Sequence, residues 1–165
     1  MIDAVADTGP ILHLSEIGQL ICLHVFNRII LPDLVAAELL AYGVSLDNMG
    51  IAIEVTPALN DDWQSLIGGA GASAIHPADA QVIAMAQKQA FTFPVLTDDL
   101  ALRRRLEMQG ATVVGSFGVL VRAHSVGILE RQTLKNAVDN LFTTSSLHTS
   151  QAFRAYAQSL LLRLP

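Results

Sequence analysis

The 165-residue sequence predicts an α/β fold, a three-layer α/β/α arrangement with a central parallel sheet of about four to five strands, plus C-terminal helices. Short β-branched runs alternate with helical stretches as far as Gly127, which is the rhythm of βαβ units. The runs are apolar over most positions, as strands covered on both faces require. Composition agrees, because 52% hydrophobic against 15% charged residues supplies a sizeable core, whereas disorder needs the opposite balance.

Residues 2–6, IDAVA, read as the first strand. DTGP breaks it before ILHLSEIG, where Pro10 suits the first turn of a helix because it has no amide proton to leave unbonded. Residues 27–43 repeat the arrangement, with a β-branched strand, Pro32 and Asp33 as a start signal, a helix, and Gly43 as a stop. IAIEV (51–55) is a third strand, and a short helix is expected in NDDWQSLIG (60–68). GGAGAS (68–73) reads as a flexible connection rather than a phosphate loop, since no glycine is followed by lysine and a hydroxyl residue.

The stretch 76–89 reads as a helix beginning near Pro77, and a strand follows at about 93–97. DLALRRRLEMQG makes a helix that ends at Gly110, TVVG a short strand, and SFGVLVRAHSVG the next helix. Residues 130–142 and 150–163 read as two more helices, whose apolar positions include Leu134, Val138, Leu141, Phe142, Phe153, Leu160 and Leu161. Core packing accounts for such positions, and so does an interface such as a homodimer. No Pro- or Ser-rich linker divides the chain, so a single domain over 1–165 is expected, with 130–165 as a helical extension.

The N-terminus lacks a basic stretch before an apolar run, and no apolar run approaches the length of a membrane span, so a cytoplasmic location is expected. Cys22 is the only cysteine, which excludes an intrachain disulfide and a thiolate cluster. The net charge of -5 hides a division. Residues 1–87 carry ten acids and one base (-9), and residues 88–165 carry nine bases and five acids (+4). An acidic cluster that attracts divalent cations beside a basic surface suits a phosphate-bearing substrate, and the same asymmetry also suits protein contacts.

Several acids stand in apolar settings. Asp7 follows the first strand, where it can cap the next helix together with Thr8 or serve a site. Glu38, in LVAAELLAY, shares its helix face with Leu34, Val35, Ala41 and Tyr42, so its charge needs either solvent or a cation. Asp79 opens the 76–89 helix, where it complements the positive helix end or joins the other acids; His76 beside it is a weak ligand signal. Asp98 and Asp99 follow the fourth strand. Parallel α/β folds place their crevice beyond the carboxyl ends of strands, where Asp7 and the 98–99 pair can meet despite their separation. Carboxylates gathered without lysine partners repel, and Mg²⁺ or Mn²⁺ relieves that repulsion with oxygen ligands.

These residues resemble a PIN-domain ribonuclease, and more closely its toxin-like (VapC-like) prokaryotic subgroup, over roughly residues 2–128. The resemblance rests on VADTGPILHLSEIG, LPDLVAAEL, HPADAQVIAMA and VLTDDLALRRRLEMQGATVVGSFGVLVRAHSVGIL. It implies a PIN-like fold with Asp7, Glu38, Asp79 and Asp99 as catalytic and metal-binding acids. Thr8 and Thr97 resemble the hydroxyl residues that orient the cluster, and Asp98 is expected as a helix cap or outer carboxylate. The subgroup more often has glycine and glutamate where this chain has Ala78-Asp79.

The expected activity is hydrolysis of RNA phosphodiester bonds with Mg²⁺ or Mn²⁺, as the toxin of a toxin–antitoxin pair inhibited by an antitoxin protein. Arg103, four positions from Asp99, and Arg122 are candidate RNA contacts, with Lys135 on a basic rim. The alternative is a catalytically silent PIN-like module that binds protein or nucleic acid. A receiver-like phosphoryl-transfer protein is disfavoured, because no lysine follows a late strand.

Overall fold

A computed structural model describes residues 1–47, 49–57 and 75–164. The helix expected in 60–68 and the connection at 68–73 lie outside the described residues. In chain order the elements are β1 (Ala4–Ala6), α1 (Thr8–Glu16), a 3₁₀ helix (Leu20–Val25), β2 (Arg28–Pro32), α2 (Asp33–Ala41) and β3 (Ala52–Thr56). There follow α3 (Pro77–Lys88), β4 (Val95–Leu96), α4 (Leu100–Met108), β5 (Val113–Val114), α5 (Ser116–Ser125), α6 (Arg131–Thr143) and α7 (Gln151–Arg163). Among the described residues, no helix is long and apolar enough to cross a membrane.

The five strands form one parallel sheet in the order β3-β2-β1-β4-β5. β1 is fully buried at the centre, with Val5 opposite Ile30 of β2 and Val95 of β4. The chain winds outward from β1 in both directions, so the crevice between β1 and β4 is the topological switch point at which such sheets bind ligands. Beyond the paired residues, the Asp7 amide donates to the Leu96 carbonyl (2.9 Å) and the Thr97 amide to the Val114 carbonyl (3.0 Å). These bonds carry three neighbouring strand ends to one level, and the acidic segments leave the sheet there.

Helices complete the three layers. α3 packs on β1 and β2 and also meets α2, burying Ala78, Val82, Ile83 and Ala86. α5 packs against α1, the 3₁₀ helix and α6 through Phe117, Val119, Leu120 and Ala123. Three phenylalanines join the C-terminal helices to this layer: Phe153 of α7 meets Phe117 and Phe142 edge-on, with ring centroids 5.7 and 6.1 Å away. Arg131 at the start of α6 donates to the carbonyls of Leu161 (3.3 Å) and Leu164, closing the free end of α7.

Candidate active site

Asp7, Asp79 and Asp99 stand at the starts of helices, and Glu38 stands within α2. Asp7 caps α1, accepting from the Thr8 amide (2.7 Å) through Oδ1 and from the buried Thr97 hydroxyl (2.8 Å) through Oδ2. Only 8% of Asp7 is exposed. Burial raises its pKa, the Thr97 and Thr8 bonds oppose the rise, and the charges of Glu38 and Asp99 add to it.

Glu38 accepts a hydrogen bond from Thr8 Oγ1 at 2.5 Å. α2 buries Val35, Ala36 and Leu39, so Glu38 stands on the shoulder of that face with 33% of its side chain exposed, and Tyr42 and Ala41 face solvent. Of the residues that share its face, Val35 is buried and Leu34 half-buried, so Glu38 stands where the apolar face meets solvent. His76, at the N-terminal end of α3, makes no capping bond, and its Nδ1 lies 3.7 Å from Glu38 Oε1.

Asp79 sits half-buried in the first turn of α3. Its pKa is pushed up to about 6, chiefly by burial and then by the charges of Asp7 and Asp99; His76 opposes the rise and Glu38 adds a little. Asp99 is exposed and caps α4, its Oδ1 accepting from the Leu102 amide (2.6 Å), while its own amide donates to Thr97 Oγ1 (3.1 Å). Thr97 therefore links Asp7 to the backbone of Asp99.

The capping role expected of Asp98 belongs to Asp99. Asp98 turns toward α1 and α5: its Oδ2 lies 2.8 Å from His13 Nδ1, its Oδ1 accepts from the Ser116 amide (2.8 Å), and the Ser116 hydroxyl also donates to it. Arg103 donates to the carbonyls of Thr97 and Val113, each at 3.2 Å, so its guanidinium is anchored at the strand ends. Arg122 is exposed and lies over the Phe26 ring, 5.6 Å from its centroid. His13 and Ser116 are partners of Asp98 that the sequence did not mark, whereas His76, a weak ligand signal in the sequence, lies beside Glu38. The only signal for Ser116 was its place in VVGSFGVL.

The structure thus brings Asp7, Glu38, Asp79 and Asp99 within reach of one another's charge. Among the described residues, no three His, Cys, Asp or Glu side chains converge closely enough to hold a metal ion as they stand. The chemistry of the donor set nevertheless fits a hard divalent cation: four carboxylates, of which Asp7 and Asp79 are raised chiefly by burial and further by their neighbours' charges. No hydrogen bond reaches the second oxygen of Asp99 among the described residues.

A family model described as a PIN domain matches residues 3–161. No curated protein and no solved structure was found to match the chain.

Proposed function

This chain belongs to the PIN-domain family, whose fold suggests nuclease activity, and from that premise we propose that it is a Mg²⁺- or Mn²⁺-dependent ribonuclease hydrolysing RNA phosphodiester bonds. The carrying observation is the hydrogen-bonded set at the switch point of the sheet, where Thr97 joins Asp7 to the Asp99 amide and Thr8 joins the same turn to Glu38, with Asp79 in the first turn of α3. Those four acids would hold the ion. A divalent ion bound there supplies Lewis acidity to a water and to the scissile phosphate.

The chain's own residues set the stage for that chemistry. Thr8 orients Glu38, and Thr97 fixes Asp7 while holding the amide of Asp99. Asp98, bonded to His13 and Ser116, pins α1 and α5 to the end of β4 and so supports the turn that presents Asp99. The role favoured by the resemblance is that of a toxin, with an antitoxin protein and a second copy of the chain as partners. Solution mass at two concentrations tests the second copy, and a small DNA-binding gene beside this one is the expected sign of an antitoxin.

The decisive experiment incubates purified protein and structured RNA with Mn²⁺, alongside Asp99→Asn and Glu38→Gln. Both variants are expected to lose cleavage by about a hundredfold or more, since even the outer partners of metal ligands are worth up to that. Wild-type rates in both would overturn the assignment. The silent-module reading draws on the unclosed acid set and the short side chain at Asp79. It predicts calorimetry with no Mn²⁺ binding.

A further inference from the structure

A cleft of about 820 Å³ lies between α4, β5, α5 and the segment leading into α7. Asp98 and Leu100, the two neighbours of Asp99 in the chain, line it. Its walls are mostly apolar, and Phe153 presents a partly exposed ring held by two edge-on phenylalanine contacts. Apart from the Phe26 ring, the Arg122 guanidinium on the lining has no partner among the described residues. Thr149 Oγ1 accepts from Arg154 (2.8 Å) and Ser150 Oγ from the Phe153 amide (3.1 Å), so both hydroxyl protons remain available to donate.

We propose that this cleft is a nucleobase subsite, which takes an unstacked base of the RNA while Arg122 meets an adjacent phosphate; the proposal rests on the nuclease reading above. An aromatic ring, a guanidinium without an anionic partner among the described residues and two hydroxyl donors on one lining together match a nucleotide, whose base has apolar faces and a polar edge. The volume lies within the usual range for small-ligand sites. A wholly apolar occupant such as a lipid tail or a hydrophobic peptide would leave the hydroxyls and Arg122 unused. Arg103, anchored on two carbonyls, adds positive potential without reaching for the ligand.

The test is ¹³C-methyl NMR of the full chain in EDTA, so that no metal takes part, titrated with AMP, CMP, GMP, UMP and ribose 5-phosphate. At least one nucleotide is expected to shift the Leu100 and Val121 methyls saturably. Arg122→Gln should weaken that binding about tenfold, and Phe153→Leu, which keeps apolar contact, about fivefold. Ribose 5-phosphate should bind more weakly than the preferred nucleotide. Absent shifts at millimolar nucleotide, indifference to Arg122→Gln, equal binding of ribose 5-phosphate, or displacement by dodecanoate at lower concentration would each overturn the subsite. Cleft binding without RNA cleavage would sink only the nuclease reading, whereas cleavage without cleft binding would sink only the subsite.

Discussion

Asp98 and Asp99 are adjacent, yet the strand-to-helix turn sends their side chains to opposite tasks. Asp99 keeps one oxygen on the Leu102 amide, and Asp98 binds His13 and Ser116. The second arrangement explains Gly115, whose φ of -94° is ordinary for any residue. A Cβ there would fall 2.6 Å from Asp98 Oδ1 and 3.2 Å from Arg103 Nη2. Neither group can give way, because each is tied on its other side. Gly115→Ala is therefore expected to cost about 1–3 kcal/mol, read from urea denaturation. Thr97→Val makes a cleaner probe of the acid site. It keeps the shape of a fully buried side chain while removing the donor to Asp7 Oδ2 and the acceptor of the Asp99 amide. A loss of about 1–3 kcal/mol is expected, with the Asp7 carboxyl raised further in an NMR titration. Unchanged stability together with unchanged Asp7 titration would count against Thr97 as the link.

At the scale of elements, Glu38 and Asp79 are only as close as α2 and α3 allow. Gln81, 3% exposed on α3, accepts from the Leu34 amide in the first turn of α2 at 3.1 Å and so ties the two helices across the edge of the acid site. Gln81→Met nearly preserves volume and removes that bond. The Leu34 amide retains the Asp33 carboxylate at 2.9 Å, so stability should fall by only about 1 kcal/mol. Mn²⁺ affinity should fall several-fold, and calorimetry showing wild-type affinity would separate the helix tie from the site. The α-helices among the described residues were legible in the sequence because each has apolar spacing and a stop or start residue; α6 departs from expectation by one residue at each end and α7 by one at its start, whereas the 3₁₀ helix had no such signal. Strand lengths were less legible. β4 has two residues where about five were expected, because pairing with β1 and β5, rather than composition, decides where a strand ends. The acids drew notice because a carboxylate within an apolar run is conspicuous. His13 did not, since its partner Asp98 lies 85 positions away and nothing local marks the pair.

For the whole molecule, the fold gathers acids from the -9 half, Asp7, Glu38 and Asp79, around Asp99 from the +4 half. That gathering gives stability a defined pH dependence. The folded state holds the Asp79 proton up to about 6, whereas the unfolded chain releases it near the ordinary aspartate value of 3.8. Between those values the folded protein binds more protons, so stability is highest below the unfolded pKa and declines as pH rises through the folded one. Asp7, raised in the same direction, adds to the decline. Asp79→Asn should flatten this slope and stabilise the metal-free protein at neutral pH. A divalent cation acts against the same repulsion, and protons compete with it. Mn²⁺ at a hundred times its dissociation constant should therefore add about 2.7 kcal/mol at pH 7, a rise in Tm of about 5–10 °C. At pH 5 the gain should be much smaller, and in Asp79→Asn it should shrink at both pH values. Equal Mn²⁺ shifts at pH 5 and pH 7 would mean that the ion binds groups other than these raised carboxyls.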